Sequence, residues 1–172
     1  LLMRRAYGAG YPRTLGALMV WSALDPAAPA VTDAAGTLSR RAFHERVLQA
    51  TAGLRAAGIG AGSRVALWLP NSAGYLAAIF ACARLGALAV HINTRFRAAE
   101  VGNLLRRSHA VALVTEWGFA PVDFPTIFAA LPAQDRAALG CVIGLERPAG
   151  VSELAGLPVL PLYRDALDAG PD

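Results

Sequence analysis

Residues 58–72 read GIGAGSRVALWLPNS. Three glycines at alternate positions run into an apolar stretch, and two architectures use such a run. A dinucleotide-binding turn places its glycines after a strand and before a helix, so that amides at the helix start face phosphate. A helix stop places them after a helix, where one residue turns left-handed, and before a strand. The preceding stretch decides. Residues 39–57, SRRAFHERVLQATAGLRAA, carry Phe43, Val47, Ala50, Leu54 and Ala57 at steps of three and four, with Ser39 placed as N-cap. The order is helix, glycines, strand. Gly58, Gly60 and Gly62 then sit at the negative end of a helix dipole, which repels phosphate. We read them as a helix stop and the entry to a buried strand over residues 64–69.

The same alternation continues outward. Residues 71–86, NSAGYLAAIFACARLG, predict a helix closed by Gly86, with Tyr75, Ile79 and Ala83 beside Leu76 and Phe80 as its apolar face. ALAVHIN (87–93) predicts a second buried strand. RAAEVGNLLRRSH (97–109) predicts a second crossover helix with Val101, Leu104 and Leu105 inward, and AVALVTE (110–116) a third strand. Strand, helix, strand, helix, strand at this spacing predicts an α/β fold: a layered parallel or mostly parallel sheet with helices on both faces. Beyond Glu116, DFPTIFAAL and AQDRAAL predict short helices and CVIGL and LPVLPLY strands, while RPAGVSELAG reads as loop. The expected organisation is a lead-in over residues 1–38, with a helix and short strands, and a βα-repeat portion over residues 39–172.

Composition narrows the chemistry. The chain has 172 residues, of which 55% are hydrophobic and 16% charged, with a mean hydropathy of +0.43, apolar for a free-standing domain. All 16 basic residues are arginine, so Schiff-base and phosphate-loop lysine chemistry is excluded within these residues. The net charge is +4, but the arginines are scattered without interleaved aromatics, so nucleic acid is not an expected partner. Cys82 and Cys141 lie in apolar settings without metal spacing and are expected as buried thiols in a reducing compartment. Near the N-terminus, Arg4, Arg5 and the apolar residues 15–24 resemble a secretory signal. Trp21 and Ser22 interrupt that stretch, and Asp25 and Pro26 precede any small-residue cleavage site. A helix capped by Thr14, with Leu15, Leu18, Met19 and Ser22 at helical spacing, and a cytoplasmic location are expected instead. No stretch reaches the roughly 18 apolar residues of a membrane span.

From about Thr14 to Glu116, most plainly from TLSRRAF to VTE (residues 37–116), and more loosely over the tail, the order, spacing and residue types resemble the opening third of adenylate-forming enzymes: acyl-CoA synthetases, aryl-CoA ligases, luciferases and peptide-synthetase adenylation domains. GIGAGSRVALWLPNS is similar to that family's glycine turn, strand and Asn stop. HINTR (91–95) looks like a CoA ligase rather than a peptide-synthetase domain. Arg40 and Ala42 stand where the family prefers an aromatic and a Glu, a departure that concerns helix capping. The resemblance implies a two-step ligase using ATP, Mg2+ and CoA on a small carboxylic acid: acyl-adenylate and pyrophosphate form first, and a thiol then displaces AMP. The family's phosphate loop, ribose-binding Asp and C-terminal lysine have no match here. The chain is thus expected to be an N-terminal piece that is not catalytic alone, with the C-terminal part of the same enzyme elsewhere; a homo-oligomer stays open. The alternative is a truncated, non-catalytic α/β module with a folding or partner-binding role.

No residue is assigned a catalytic or metal-binding role. Arg95 is the one cofactor-binding candidate. It follows a parallel strand at its carboxyl end, where open α/β sheets present ligand loops, and the resemblance places such an arginine near the CoA phosphates. The other reading is a solvated arginine near Glu100. Arg97 is a weaker neighbour, and Asn93 is expected to hold the turn through its side chain. His44 is expected in solvent, His91 as a satisfied core histidine, and His109 at the negative end of its helix. Trp117 and Phe119 are read as a packing pair. Asp123, Asp135, Glu146 and Glu153 show no paired-carboxylate logic.

Overall fold

The computed structural model describes residues 14–15, 25–146 and 149–164. The helix expected after Thr14 lies largely outside them. A hairpin of β1 (Pro29–Asp33) and β2 (Gly36–Ser39) leads into α1 (Arg40–Ala56). There follow β3 (Arg64–Trp68), α2 (Ala73–Leu85), β4 (Leu88–His91), α3 (Ala98–Ser108), β5 (Ala112–Thr115) and α4 (Phe124–Ala129). A 3-10 turn (Ala133–Asp135), β6 (Cys141–Gly144), β7 (Glu153–Leu154) and β8 (Leu157–Pro161) complete the order.

Six strands form one sheet in the order β4-β3-β5-β6-β8-β7. All its ladders are parallel except β7 on β8. Alternation along the strands divides the core. Val65, Leu67 and Val114 pack with Phe43, Val47 and Leu54 of α1 and Ala77, Ala78 and Ala81 of α2. Ala66, Trp68 and Leu113 pack with Val101 and Leu105 of α3 and Phe124 and Phe128 of α4. Helices therefore cover both faces, as the near-continuous apolar strands require.

The glycine run is a joint. Ser39 caps α1 by accepting from the Ala42 amide at 3.2 Å. At the other end Gly58 takes φ +79. Its amide donates to the Arg55 carbonyl at 2.9 Å and the Ile59 amide to the Leu54 carbonyl at 3.0 Å, the paired bonds of a Schellman close. Ile59 and Leu54 are both buried in the same core, so the apolar contact of that motif is present too. The Gly60 amide donates to Ser63 Oγ at 3.1 Å, and that of Gly62 to the Gly86 carbonyl at 2.9 Å. All three glycine amides are spent on the protein itself.

Three expectations are corrected. In α2 the buried residues are Ala73, Gly74, Ala77, Ala78, Ala81 and Cys82; Tyr75, Ile79, Phe80 and Ala83 are half-buried and Leu76 is exposed. Close approach of α2 to its neighbours selects small side chains, which a search for large apolar residues overlooks. Strand β4 is an edge strand rather than a buried one, with Leu88 53% exposed. The loop expected before Leu157 contains β7, which pairs antiparallel with β8 through Leu154 and Leu157; Ala155 holds φ +52 in the turn. Cys82 and Cys141 are free and buried, and burial pushes the Cys82 thiol up to about 12.

Two positions give direct tests. A Cβ on Gly53 would lie 1.8 Å from the Leu162 carbonyl oxygen, so α1 touches the exit of β8 backbone to backbone. Ala in place of Gly gains about 1 kcal/mol of helix propensity, whereas overpacking costs about 1–3 kcal/mol and more where backbone must shift. Gly53→Ala is expected to lower the midpoint of urea unfolding; an unchanged or raised midpoint contradicts this packing. Asp33 Oδ2 accepts from the Ala73 amide at 2.8 Å, seating a carboxylate on the positive end of α2. Backbone donation from Ala73 and then Ala35 holds its carboxyl below the ordinary 3.8. A lowered folded-state value stabilises above the unfolded value and is lost as pH falls through the folded one. Asp33→Asn is therefore expected to lower the Tm near pH 7, with the gap from wild type closing as pH falls below 3.8; a gap independent of pH contradicts it.

Candidate functional site

Ligand loops of an open parallel sheet gather at the carboxyl ends of its strands. Here two amides of the β3–α2 turn are already taken. The Ala73 amide belongs to Asp33, and the Tyr75 amide to Ser72 Oγ at 3.1 Å. The next loop, from β4 to α3, is different.

The Ile92 amide makes the last rung to the Leu67 carbonyl at 3.0 Å. Asn93 then turns the chain: its Oδ1 accepts from the Arg95 amide at 2.9 Å and its carbonyl from the Phe96 amide at 3.0 Å, as expected of this residue type. Arg97, the N-cap of α3, folds its guanidinium back on the loop, donating to the carbonyls of Thr94 (3.3 Å), Arg95 (3.0 Å) and Phe96 (3.1 Å). Its amide donates to Glu100 Oε2 at 3.0 Å. That donation, a bond to its own amide, and the Arg97 charge hold the Glu100 carboxyl below its usual range. The partner of Glu100 is thus Arg97. Among the described residues nothing binds the guanidinium of exposed Arg95. Arg97 is a strut, and Arg95 is left as an unpaired cation on a braced loop.

Beside this loop lies a cavity of about 670 Å3 walled by Pro70, Asn71, Tyr75, His91, Asn93 and Thr94 with Leu69, Ile92 and Phe119. The Tyr75 hydroxyl and His91 Nδ1 are 2.6 Å apart, and their rings meet edge to face at 5.7 Å. His91 is therefore exposed and paired, not a core histidine. Partial burial raises the Tyr75 hydroxyl above its ordinary value. In the sequence Tyr75 stands out only as an apolar face residue; no local pattern announces its partner.

A second cavity, of about 490 Å3, opens at the ends of β5 and β6. Burial, and then the neighbouring Glu146 charge, raise the Glu116 carboxyl. The Arg46 guanidinium carbon lies 5.5 Å from the Tyr163 ring centre. The remaining candidates are structural. Asp123 caps α4, accepting from the Thr126 amide at 3.1 Å and its hydroxyl at 2.7 Å. Asp135, buried, pairs with Arg106 of α3. His109 closes α3 in the left-handed region at φ 51. Phe119 stacks on Phe124, while Trp117 lies against Gly144, so the two do not serve as one pair. Among the described residues no group of three His, Cys, Asp or Glu is placed to hold a metal ion, and no helix is long and apolar enough to cross a membrane.

Comparison with known proteins places this scaffold. The family model described as AMP-binding enzyme matches residues 19–157. A feruloyl-CoA synthase of Amycolatopsis sp is 37% identical over 91 residues, covering 53% of this chain and 18% of that protein. The long-chain-fatty-acid–CoA ligase FadD13 of Mycobacterium tuberculosis is 44% identical over 69 residues, covering 40% of this chain and 14% of that protein. The chain thus spans less than a fifth of the length of the curated relatives it matches. The crystal structure of the N-terminal domain of FACL13 from Mycobacterium tuberculosis superposes with a TM-score of 0.68 at 28% identity, over 77% of this chain and 34% of that one. With a parallel sheet of the same build and a family match across most of its residues, the chain belongs to the AMP-binding enzyme family.

Proposed function

We propose that this chain is the N-terminal portion of an ATP-dependent acid–thiol ligase of the cytoplasm, which activates a small carboxylic acid as its acyl-adenylate and transfers the acyl group to CoA. In the first step a carboxylate oxygen bonds to the α-phosphorus of ATP and pyrophosphate leaves. In the second the CoA sulfur bonds to the carbonyl carbon and AMP leaves. Relatives named as CoA ligases for both aryl and fatty acids support the thiol acceptor and leave the acid open.

The residues present divide these tasks. The amides of Gly58, Gly60 and Gly62 are bonded within the chain, and Asp33 accepts from the first amide of α2; this supports a triphosphate and Mg2+ seat elsewhere in the enzyme. On this reading adenylation falls to other residues of the enzyme. The CoA phosphates do find a fitting group. Arg95 offers a bidentate guanidinium without a competing carboxylate, on a loop that Arg97 and Asn93 hold rigid. That unpaired cation at the carboxyl edge of the sheet is the observation that carries the reading.

The test uses the full reading frame containing this chain. Pyrophosphate exchange into ATP, dependent on one member of a carboxylic acid panel and followed by acyl-CoA formation, is expected. Arg95→Ala is expected to raise the KM for CoA about ten- to hundredfold, the loss of a charge-assisted hydrogen bond. Absence of exchange with every acid contradicts the ligase reading. A normal KM for CoA in Arg95→Ala contradicts the assignment of Arg95.

A further inference from the structure

We propose that Tyr75 and His91 are positioning residues for CoA: their hydrogen bond tethers the free end of the edge strand to α2 and so fixes the loop that presents Arg95. The inference rests on the ligase reading above and concerns residues which that reading leaves without a role.

The need for a tether follows from the topology. Strand β4 has a neighbour on one side only, β3, and it is short, Leu88–His91. An edge strand with one ladder is held less firmly than a central one, and the loop beyond its last residue inherits that freedom. The rung from the Ile92 amide to the Leu67 carbonyl fixes the inner side. On the face of the sheet that α2 covers stands the Tyr75 hydroxyl on His91 Nδ1, at 2.6 Å with the rings edge to face.

Tyr75 is a firm anchor. Its amide is bonded to the Ser72 cap, and α2 is seated through Ala73, Gly74, Ala77, Ala78 and Ala81 against the core. His91 in turn precedes Ile92 and the Asx turn at Asn93, and Arg97 ties that turn into one rigid unit through three carbonyls. The loop thus hangs as one braced unit from the end of β4, where the Tyr75–His91 bond stands. Both rings line the same cavity as Asn93 and Thr94, so the tether abuts the loop that carries Arg95. The bond links residues 16 apart in sequence and buries neither ring fully, so stability alone gives little reason for it.

A positioning role differs from a structural one in what it moves. In the full reading frame, Tyr75→Phe keeps the ring and removes the hydroxyl. It is expected to raise the KM for CoA roughly five- to tenfold, the worth of one hydrogen bond, against less than a twofold change in the KM for ATP. His91→Leu is expected to match it, and His91→Asn, which restores an acceptor near the Nδ1 position, to recover most of the loss. In an Arg95→Ala background Tyr75→Phe is expected to add nothing, since the tether acts through that arginine. Equal rises in both KM values, full additivity with Arg95→Ala, or no rescue by Asn overturns the inference while leaving the ligase reading standing. Absence of acid-dependent pyrophosphate exchange in the wild-type enzyme overturns both.

Discussion

The hydrogen bond from the Ile59 amide to the Leu54 carbonyl sets the course of this chain. It closes α1 through a left-handed Gly58 and turns the chain toward β3, which lies between β4 and β5 in the sheet. With that bond made, the amides of Gly60 and Gly62 fall to Ser63 and Gly86, and the glycine run becomes a joint between layers. The consequence for function is that, in a stretch resembling a phosphate cradle in composition, the three glycine amides are already taken. At the turn after β3, the other place where such folds hold phosphate, the chain's own Asp33 takes the first amide of α2.

On the proposed reading the binding loop lies one step along, at the end of β4. There the backbone is braced by side chains rather than by a second ladder. Asn93 turns it, Arg97 closes it from within, and Glu100 fixes Arg97. The two arginines of the loop have opposite fates because only one of them can reach three carbonyls at once. A cation carried on a braced backbone costs less loop entropy on binding a phosphate ligand than one carried on a mobile loop. The family to which the chain belongs gives that geometry its context: on the proposed reading, one part of the polypeptide activates the acid and this sheet edge meets the acceptor.

Much of the scaffold is legible in the residues alone, because βα alternation and helix stops are local patterns. Ser39, Gly58 and Gly86 mark element ends by their own conformational chemistry. What is not legible depends on contacts distant in sequence. ALAVHIN reads as apolar enough for a central strand, yet strand order is decided by which ladders form, and β4 ends at the edge. The apolar face of α2 escapes a reading by residue size because its buried side is built from alanines that permit close approach, while Ile79 and Phe80 lie toward its margin. At the site, Arg95 and Arg97 are indistinguishable by composition; the backbone turn alone separates cation from strut. The Tyr75–His91 pair and the Arg106–Asp135 pair join different elements, and neither has a sequence signature.

The central claim is that the glycine run joins and the Asn93–Arg97 loop binds. Amide chemical-shift mapping of the enzyme titrated with CoA tests it most directly. Shifts concentrated at Thr94, Arg95 and Phe96, with Gly58, Gly60 and Gly62 unmoved, are predicted. Saturable shifts at the three glycines with a silent β4–α3 loop would contradict the account.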